Sequence, residues 1–330
     1  MPKILITGGA GFIGYHLAKH LLTDTKNQIV LVDNLQRGKM DTDLAQLISN
    51  KRVKFINADL TDLAFYKTLD KNFDQVYHLA AINGTKIFYA RPQEVLRINA
   101  LTLIYILEWI KNLKKKLKLC FTSSNEAYAG ALEAFNKLPI PTPENVPLVI
   151  NDTYNPRWTY GATKLVGELF VIFYAKAYNF PAVIVRPHNF YGPRAGYDHV
   201  IPEFIKRITD KVDPFPIYGA DDTRTFCYID DAVKAMQLLM DSPSTDNQPI
   251  ETVHIGATDE ITILDLTKKL FAIAGWQPKK LDIKESPAGS VKRRLADIAK
   301  IKQLINWTPQ TALEDGLTKT IEWYTAHPKK

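Results

Sequence analysis

Hydrophobic positions in the first part of the chain follow two alternating rhythms. Short runs of apolar or β-branched residues predict strands: KILIT at 3–7, IVLVD at 29–33, VKFIN at 53–57, QVYHLA at 75–80, LKLCFTSS at 117–124 and AVIVRP at 182–187. The stretches between them mostly carry helical spacing. Leu165, Leu169, Ile172 and Phe173 fall at i, i+4, i+7 and i+8 and predict one buried helix face. Strands alternating with helices predict an α/β protein with a doubly wound parallel sheet. The near-continuous apolar strands fit a sheet covered on both faces.

The rhythm changes near residue 190. Pro193, Pro202, Pro214 and Pro216 punctuate short segments. Helical patterns at 230–240, 263–275 and 313–324 are then separated by single strand-like pieces such as ETVHIG at 251–256. We therefore expect two domains, residues 1–190 carrying the parallel sheet and residues 191–330 forming a smaller C-terminal α/β lobe, interleaved by one or two strands.

Composition narrows the class. The chain has 330 residues, 46% hydrophobic and 23% charged, which excludes disordered and fibrous proteins. Its longest apolar run, Leu101–Ile110, falls far short of the ~20 residues that span a bilayer and predicts a buried helix. No membrane insertion is expected. The N-terminus MPKILITGG runs straight into a strand pattern without signal-peptide anatomy, so a cytoplasmic location is expected. Cys120 and Cys227 are the only cysteines, with no disulfide or metal spacing, and no metal is expected. The net charge of +7 includes a basic run, Lys111 to Lys118, placed where a helix should end and can complement its dipole. Without an interleaved aromatic platform it predicts no nucleic-acid partner.

The segment ILITGGAGFIG carries the first chemical signal. Gly9, Gly11 and Gly14 satisfy G-x-G-x-x-G, with a strand before and an amphipathic helix (Ile13, Leu17, Leu21) after. Such glycines let backbone approach a pyrophosphate, which rests on the N–H groups of the helix N-terminus. Asp33, ending the second strand, can accept hydrogen bonds from both ribose hydroxyls, which favours NAD. Arg37 could hold a 2′-phosphate, but Asp33 would repel one. A second signal is YGATK at 160–164: Tyr160 and Lys164 share a helix face and can point into one pocket.

Together, Thr7 to Gly14, Asp33, ADL at 58–60, HLAA at 78–81, Asn99, TSS at 122–124, Tyr160-x-x-x-Lys164 and RPHNFYGPR at 186–194 resemble the extended short-chain dehydrogenase/reductase family. They look most like its NAD-dependent nucleotide-sugar epimerase/dehydratase branch. TRTFCYIDDAV and RRLADIAKIKQLINW extend the similarity over nearly the whole chain. The resemblance implies a Rossmann sheet with NAD held by Gly8, Gly11, Phe12, Ile13, Gly14, Asp33 and Asn34. Asp59 and Leu60 would lie by the adenine; Leu79, Ala80, Ala81 and Asn99 would line the cofactor, with Tyr160 and Lys164 reaching it. Ser124, Tyr160 and Lys164 would form the catalytic set. Asn189, Arg224 and Arg294, with Arg194 as a further candidate, would hold the diphosphate of a nucleoside-diphosphate sugar. A homodimer is implied too, through the helix around 99–111 and the one starting near Tyr160.

The implied chemistry explains the residue types. Moving a hydride from a sugar carbon requires a base that takes the hydroxyl proton. A phenol ionised near neutral pH needs a shift of about 3 pH units, roughly 4 kcal/mol, which one cation about 4 Å away at an effective dielectric of about 20 supplies. Lys164 is therefore expected to lower the pKa of Tyr160, and Ser124 to orient the sugar hydroxyl. The step after C4 oxidation is open: 4-epimerisation leads, with 4,6-dehydration or uronate decarboxylation as alternatives. Glu126 lies where the latter enzymes carry a functional Glu. Asn125 stands at the place of the dehydratase acid, and an amide cannot donate a proton in that way; it is kept as a substrate contact with Ser124. NPRWTY at 155–160 resembles a segment of some uronate decarboxylases and apiose-forming enzymes. His188 is read as a packed imidazole, and Lys86 is given no role. A non-catalytic NAD-binding sensor is the reading from another class.

Overall fold

The computed structural model describes residues 1–135, 138–243, 250–286 and 291–328. The six strands foreseen in the first part of the chain are β1 (Lys3–Thr7), β2 (Gln28–Asp33), β3 (Val53–Asn57), β4 (Gln75–His78), β5 (Lys118–Thr122) and β6 (Ala182–Pro187). With the strand Ile250–Ile255 they make a seven-stranded sheet, ordered Ile250–Ile255, β6, β5, β4, β1, β2, β3. From β3 through β6 every pairing is parallel; Leu5, for instance, lies opposite Val30 on one side and Val76 on the other. The chain starts at β1 and winds outward in both directions, so the order reverses between β1 and β4. In open α/β sheets ligands bind at this reversal, beyond the carboxyl ends of the strands. Leu5, Ile6, Leu31, Val32, Val76 and Leu119 are fully buried in the sheet, each worth roughly 1.5–3 kcal/mol of apolar burial.

The helix Thr159–Tyr178 follows a short 3₁₀ turn, Pro156–Trp158, capped by the Asn155 side chain, whose oxygen accepts from the Arg157 N–H at 3.0 Å. The buried face of the helix carries Tyr160, Lys164, Gly167, Glu168, Val171 and Ala175. Gly167 is required there, since a Cβ would come within 2.7 Å of the Phe121 ring. This corrects the expected stripe. Leu169 is 47% exposed and Phe173 61% exposed. The helix has two apolar-looking faces, and the sheet takes the one that begins with Tyr160 and includes two small residues, because those let the helix approach closely.

The basic run 111–118 also differs from expectation. The helix Pro92–Lys111 ends there, with Lys111 paired to Glu108 at 2.5 Å. Lys118, however, donates to the carbonyl oxygens of Leu239 and Ser242 at 2.7 and 2.6 Å, so it caps the end of a different helix, Ile229–Asp241.

The chain divides into two compact units: Met1–Ala131, Pro147–Pro187 and Val233–Val253 in one, and Leu132–Val146, His188–Ala232 and His254–Lys330 in the other. The changeover thus falls at Pro187–His188, and the segment exchanged into the first unit, Val233–Val253, includes helix as well as strand. Within the second unit, Phe204, Phe215 and Phe271 meet edge to face at 5.5 and 5.0 Å. A three-stranded sheet there orders Ile261–Thr262, Thr223–Arg224 and Arg293–Arg294. No helix among the described residues is long and apolar enough to cross a membrane.

Candidate active site

The turn after β1 is built on close backbone approach. Gly8 has φ +72°, and a Cβ on it would sit 2.9 Å from the Ala80 nitrogen. A Cβ on Gly14 would lie 2.3 Å from the Gly8 carbonyl oxygen. Gly11 begins the helix Phe12–Leu21 with no side-chain cap, which leaves its first N–H groups without a capping side chain. The Asp33 carboxylate joins the turn to the end of β2. Its two oxygens accept from the N–H groups of Ala10 at 3.1 Å and Leu35 at 2.8 Å. Burial raises the Asp33 pKa and these two hydrogen bonds oppose the rise. Each oxygen keeps a second lone pair for a ribose hydroxyl. A backbone cradle that excludes any Cβ, an uncapped helix start and an acceptor at the neighbouring strand end fit a dinucleotide.

The remaining cofactor candidates fall around the same strand ends. Leu79, Ala80 and Ala81 follow β4; Leu60 is buried, whereas Asp59 and Asn34 are exposed. Asp59 receives Thr61 through both backbone and hydroxyl, at 2.8 and 2.9 Å. The Asn99 amide accepts from the Ile82 N–H at 2.7 Å and donates to the Ile82 carbonyl at 3.1 Å and to Thr163 at 3.3 Å. It thereby fixes the segment after β4 to the helix Thr159–Tyr178.

Ser124, Tyr160 and Lys164 come together at the carboxyl end of β5. The Ser124 hydroxyl is near enough to the Tyr160 phenol to lower its pKa, and Ser124 accepts the Glu126 N–H at 3.2 Å. The phenol ring stacks on Phe88, centroids 5.4 Å apart. Lys164 donates to the Thr122 carbonyl oxygen at 2.7 Å and lies over the rings of Phe121 and Tyr160 at 5.0 and 5.4 Å. The expected direction of the Tyr160 pKa is reversed. Burial pushes the phenol up and the Glu126 carboxylate adds to the rise, while the Ser124 hydrogen bond and Arg37 oppose it. Burial also takes Lys164 down to about 7, with Glu168 opposing. The desolvation that hides the pair from water thus acts on both partners, disfavouring the phenolate and the ammonium alike.

Around this set lie further residues, of which the sequence pattern gave a role only to Glu126 and Asn125. His78 at the end of β4 bonds Thr7 at 2.9 Å, and burial with nearby Lys164 takes it down to about 3, so it is a neutral imidazole. Glu168 receives Ser123 at 2.5 Å and both arms of Arg186 at 2.8 Å, all buried. Glu126 pairs with Arg157, Nη1 to Oε2 3.5 Å, and its carbonyl oxygen would be 2.7 Å from a Cβ at Gly161. Asn125 is buried, its amide oxygen 3.5 Å from the Ser124 hydroxyl. Phe88, Glu168 and Arg186 act through tertiary contact, which one sequence does not display; Arg157 stands in the NPRWTY segment, where its residue type alone gave it no role.

The diphosphate candidates belong to the second unit. Arg224 and Arg294 are register partners on adjacent parallel strands, so both side chains leave the same face of the small sheet. Arg293 and Thr223, on the other face, both contact Glu260. Two like charges directly opposite are unfavourable unless an anion joins them. Arg224 is braced by the carbonyls of Thr223 and Lys292 at 2.7 and 3.0 Å, with Asp222 at 3.5 Å. The Asn189 side chain donates to the Thr225 carbonyl at 2.9 Å, and Asn189 and Arg194 both adopt left-handed backbone, φ 43° and 64°. Buried His188 packs edge to face on His254 at 4.9 Å.

The sheet order and the glycine turn at its reversal define a Rossmann-type α/β protein. The family described as GDP-mannose 4,6 dehydratase matches residues 5–320, and the chain belongs to it, among the NAD-dependent nucleotide-sugar epimerases and dehydratases of the extended short-chain dehydrogenase/reductases. The chain is 31% identical to the uncharacterized UDP-glucose epimerase YtcB of Bacillus subtilis (strain 168), over 98% of each. It is 32% identical to the UDP-N-acetyl-alpha-D-glucosaminuronate decarboxylase of Bacillus cytotoxicus, over 98% of this chain and 97% of that one. Among solved structures, the UDP-glucuronic acid 4-epimerase of Bacillus cereus, in complex with UDP-glucuronic acid and NAD, superposes with a TM-score of 0.86 at 30% identity. That match covers 98% of this chain and 99% of the other.

Proposed function

We propose that the chain is an NAD-dependent enzyme that modifies a nucleoside-diphosphate sugar, beginning with oxidation at C4, and that its net reaction is 4-epimerisation. The observation that carries this reading is Tyr160 with Lys164 over its ring and Ser124 close by, held in the same unit as the glycine cradle and Asp33. The cradle residues hold NAD, and bound NAD supplies the acceptor for the C4 hydride. Ser124 orients the C4 hydroxyl, and the Tyr160 oxygen takes its proton once the phenol has given up its own, a loss that the positive charge of bound NAD would favour. Lys164, fixed to the Thr122 carbonyl, keeps a donor next to the phenol ring. The guanidinia of Arg224 and Arg294, leaving one face of the small sheet, bind the diphosphate.

Decarboxylation of a uronate is the second reading, favoured by the Glu126–Arg157 pair next to the catalytic set. 4,6-Dehydration is disfavoured because Asn125 has no acidic proton where a leaving hydroxyl would need one. The exposed apolar row Val166, Leu169 and Phe173 on the helix Thr159–Tyr178, with Leu96 on Pro92–Lys111, supports assembly into a homodimer through these helices.

Incubation with UDP-, GDP-, CDP- and dTDP-sugars in heavy water, followed by proton NMR, tests the reading. Inversion at C4 without deuterium at C5 establishes the epimerase; a pentose product establishes the decarboxylase. A C6 methyl group with deuterium at C5 would mean dehydration after all. Tyr160→Phe should abolish turnover while retaining NAD, whereas a non-catalytic sensor would be indifferent to it.

A further inference from the structure

Proton removal asks more of Tyr160 than an oxygen in the right place. The phenol oxygen lies on the axis about which the ring turns, so turning the ring leaves the oxygen where it is and swings its acceptor directions. A proton met by an oxygen on an sp² carbon prefers the plane of that carbon and its substituents. The ring plane therefore decides which hydroxyl the oxygen can serve. This last torsion of a tyrosine is soft, with broad wells, so the helix backbone alone does not set it. A group packed on the ring has to.

Phe88 is packed on it. The two rings are 14° from parallel with centroids 5.4 Å apart, and both residues are 8% exposed. An offset, near-parallel stack is one of the preferred arrangements of aromatic pairs, and turning the Tyr160 ring out of it would drive its edge into the face of Phe88. Phe88 is itself held firmly. It lies on the short helix Thr85–Ala90, which opens at Gly84, whose φ of 131° suits glycine. The Phe88 N–H donates to the Gly84 carbonyl oxygen at 3.2 Å, and the Arg91 N–H to that of Ile87 at 2.9 Å. Just before Gly84, Ile82 is gripped through both its N–H and its carbonyl by Asn99, which also donates to Thr163. The Thr163 hydroxyl in turn donates to the Tyr160 carbonyl oxygen at 2.8 Å. One chain of hydrogen bonds thus joins the foot of the Phe88 segment to the backbone of Tyr160, and Ile82 and Val95 complete an apolar cluster with the two rings.

We propose that Phe88 is a positioning residue for the reaction: its ring holds the Tyr160 phenol in the plane from which the oxygen meets the sugar hydroxyl. This rests on the reading of Tyr160 as the base. Phe88 also keeps water from the phenol. The charged groups that bear on the phenol are Glu126, Arg37 and Lys164, none of them on the helix Thr85–Ala90. A substitution at Phe88 therefore alters plane and solvation without altering charge. Two variants separate these effects: Phe88→Leu stays apolar but loses the flat face, and Phe88→Ala loses both.

Two measurements on the NAD-loaded proteins test this. One follows phenolate ultraviolet absorbance against pH, each variant less its Tyr160→Phe counterpart; the other follows conversion of the UDP-, GDP-, CDP- and dTDP-sugars above. Phe88→Leu is expected to lower kcat roughly 10- to 100-fold, the effect of a misaligned reacting group, with KM and the phenolate midpoint unchanged. Phe88→Ala loses as much kcat and also ionises at lower pH, because water reaches the phenolate; a brace that merely stabilised the fold would not move that midpoint. A Phe88→Leu protein with parental kcat, or one whose loss follows a raised KM or lost NAD, overturns the proposal and leaves Tyr160 as the base. If the parent converts none of the sugars, the reading of Tyr160 as the base fails and takes this one with it.

Discussion

Lys164 donates a 2.7 Å hydrogen bond to the carbonyl oxygen of Thr122, the last residue of β5. The ammonium is thereby tied to the sheet rather than to the phenol, whose ring centre lies 5.4 Å away. The tether fixes where the charge can be, and burial decides how much of it there is.

Stability should follow the Lys164 proton. In the unfolded chain this lysine holds its proton up to about 10.5, in the folded protein only to about 7. Below 7 both states are protonated and the fold bears the full penalty of a buried ammonium. Between about 7 and 10 the folded state has released the proton while the unfolded chain still binds it, so stability rises with pH. Lys164→Met removes this dependence. Thermal melts should show the variant's advantage over the parent largest below pH 7 and shrinking as pH rises; a constant difference would mean that Lys164 is not desolvated.

The glycine turn predicts a sharp positional contrast. A Cβ at Gly14 would strike the Gly8 carbonyl oxygen and come within 2.8 Å of the Gly9 Cα, whereas one at Gly196 meets nothing within 4 Å. Gly14→Ala should lose roughly 1–3 kcal/mol of stability and most of its NAD, read from melts and from cofactor fluorescence titration. Gly196→Ala should do neither.

Arg294→Gln should weaken binding of nucleoside diphosphates and their sugars by roughly 10- to 100-fold, the effect of one lost charged hydrogen bond. NAD affinity should not change. Calorimetry with UDP and with NAD checks both halves.

Phe173→Glu places a charge in the exposed apolar row of the helix Thr159–Tyr178. Size-exclusion chromatography with light scattering should show the parent as a dimer and the variant as a monomer with unchanged NAD binding. A parent that elutes as a monomer would remove the proposed assembly.

The strands β1 to β6 were legible because each is a compact apolar run, and the glycine turn because backbone approach restricts residue choice to glycine. The faces of the helix Thr159–Tyr178 were not. Leu169 and Phe173 keep helical period as well as Val171 and Ala175 do, and only the packing against Phe121 shows which stripe the sheet takes. The Tyr160–Lys164 pair was visible as spacing, yet its protonation was misread, because Coulomb attraction can be estimated from adjacency while desolvation depends on everything packed around it. The hydrogen bonds of Asn99 were not legible, since its partners, Ile82 and Thr163, lie on separate elements.

The buried carboxylate of Glu168 grips Ser123 on one side and Arg186 on the other. One residue thus bolts the helix bearing Tyr160 to the segment bearing Ser124 and to β6. A helix so anchored cannot slide or rotate to accommodate a different sugar without abandoning a desolvated ion pair. New specificities in a scaffold of this kind should therefore arise by exchanging side chains on the approach to the helix, where Arg157 stands, while the hydroxyl pair stays where it is.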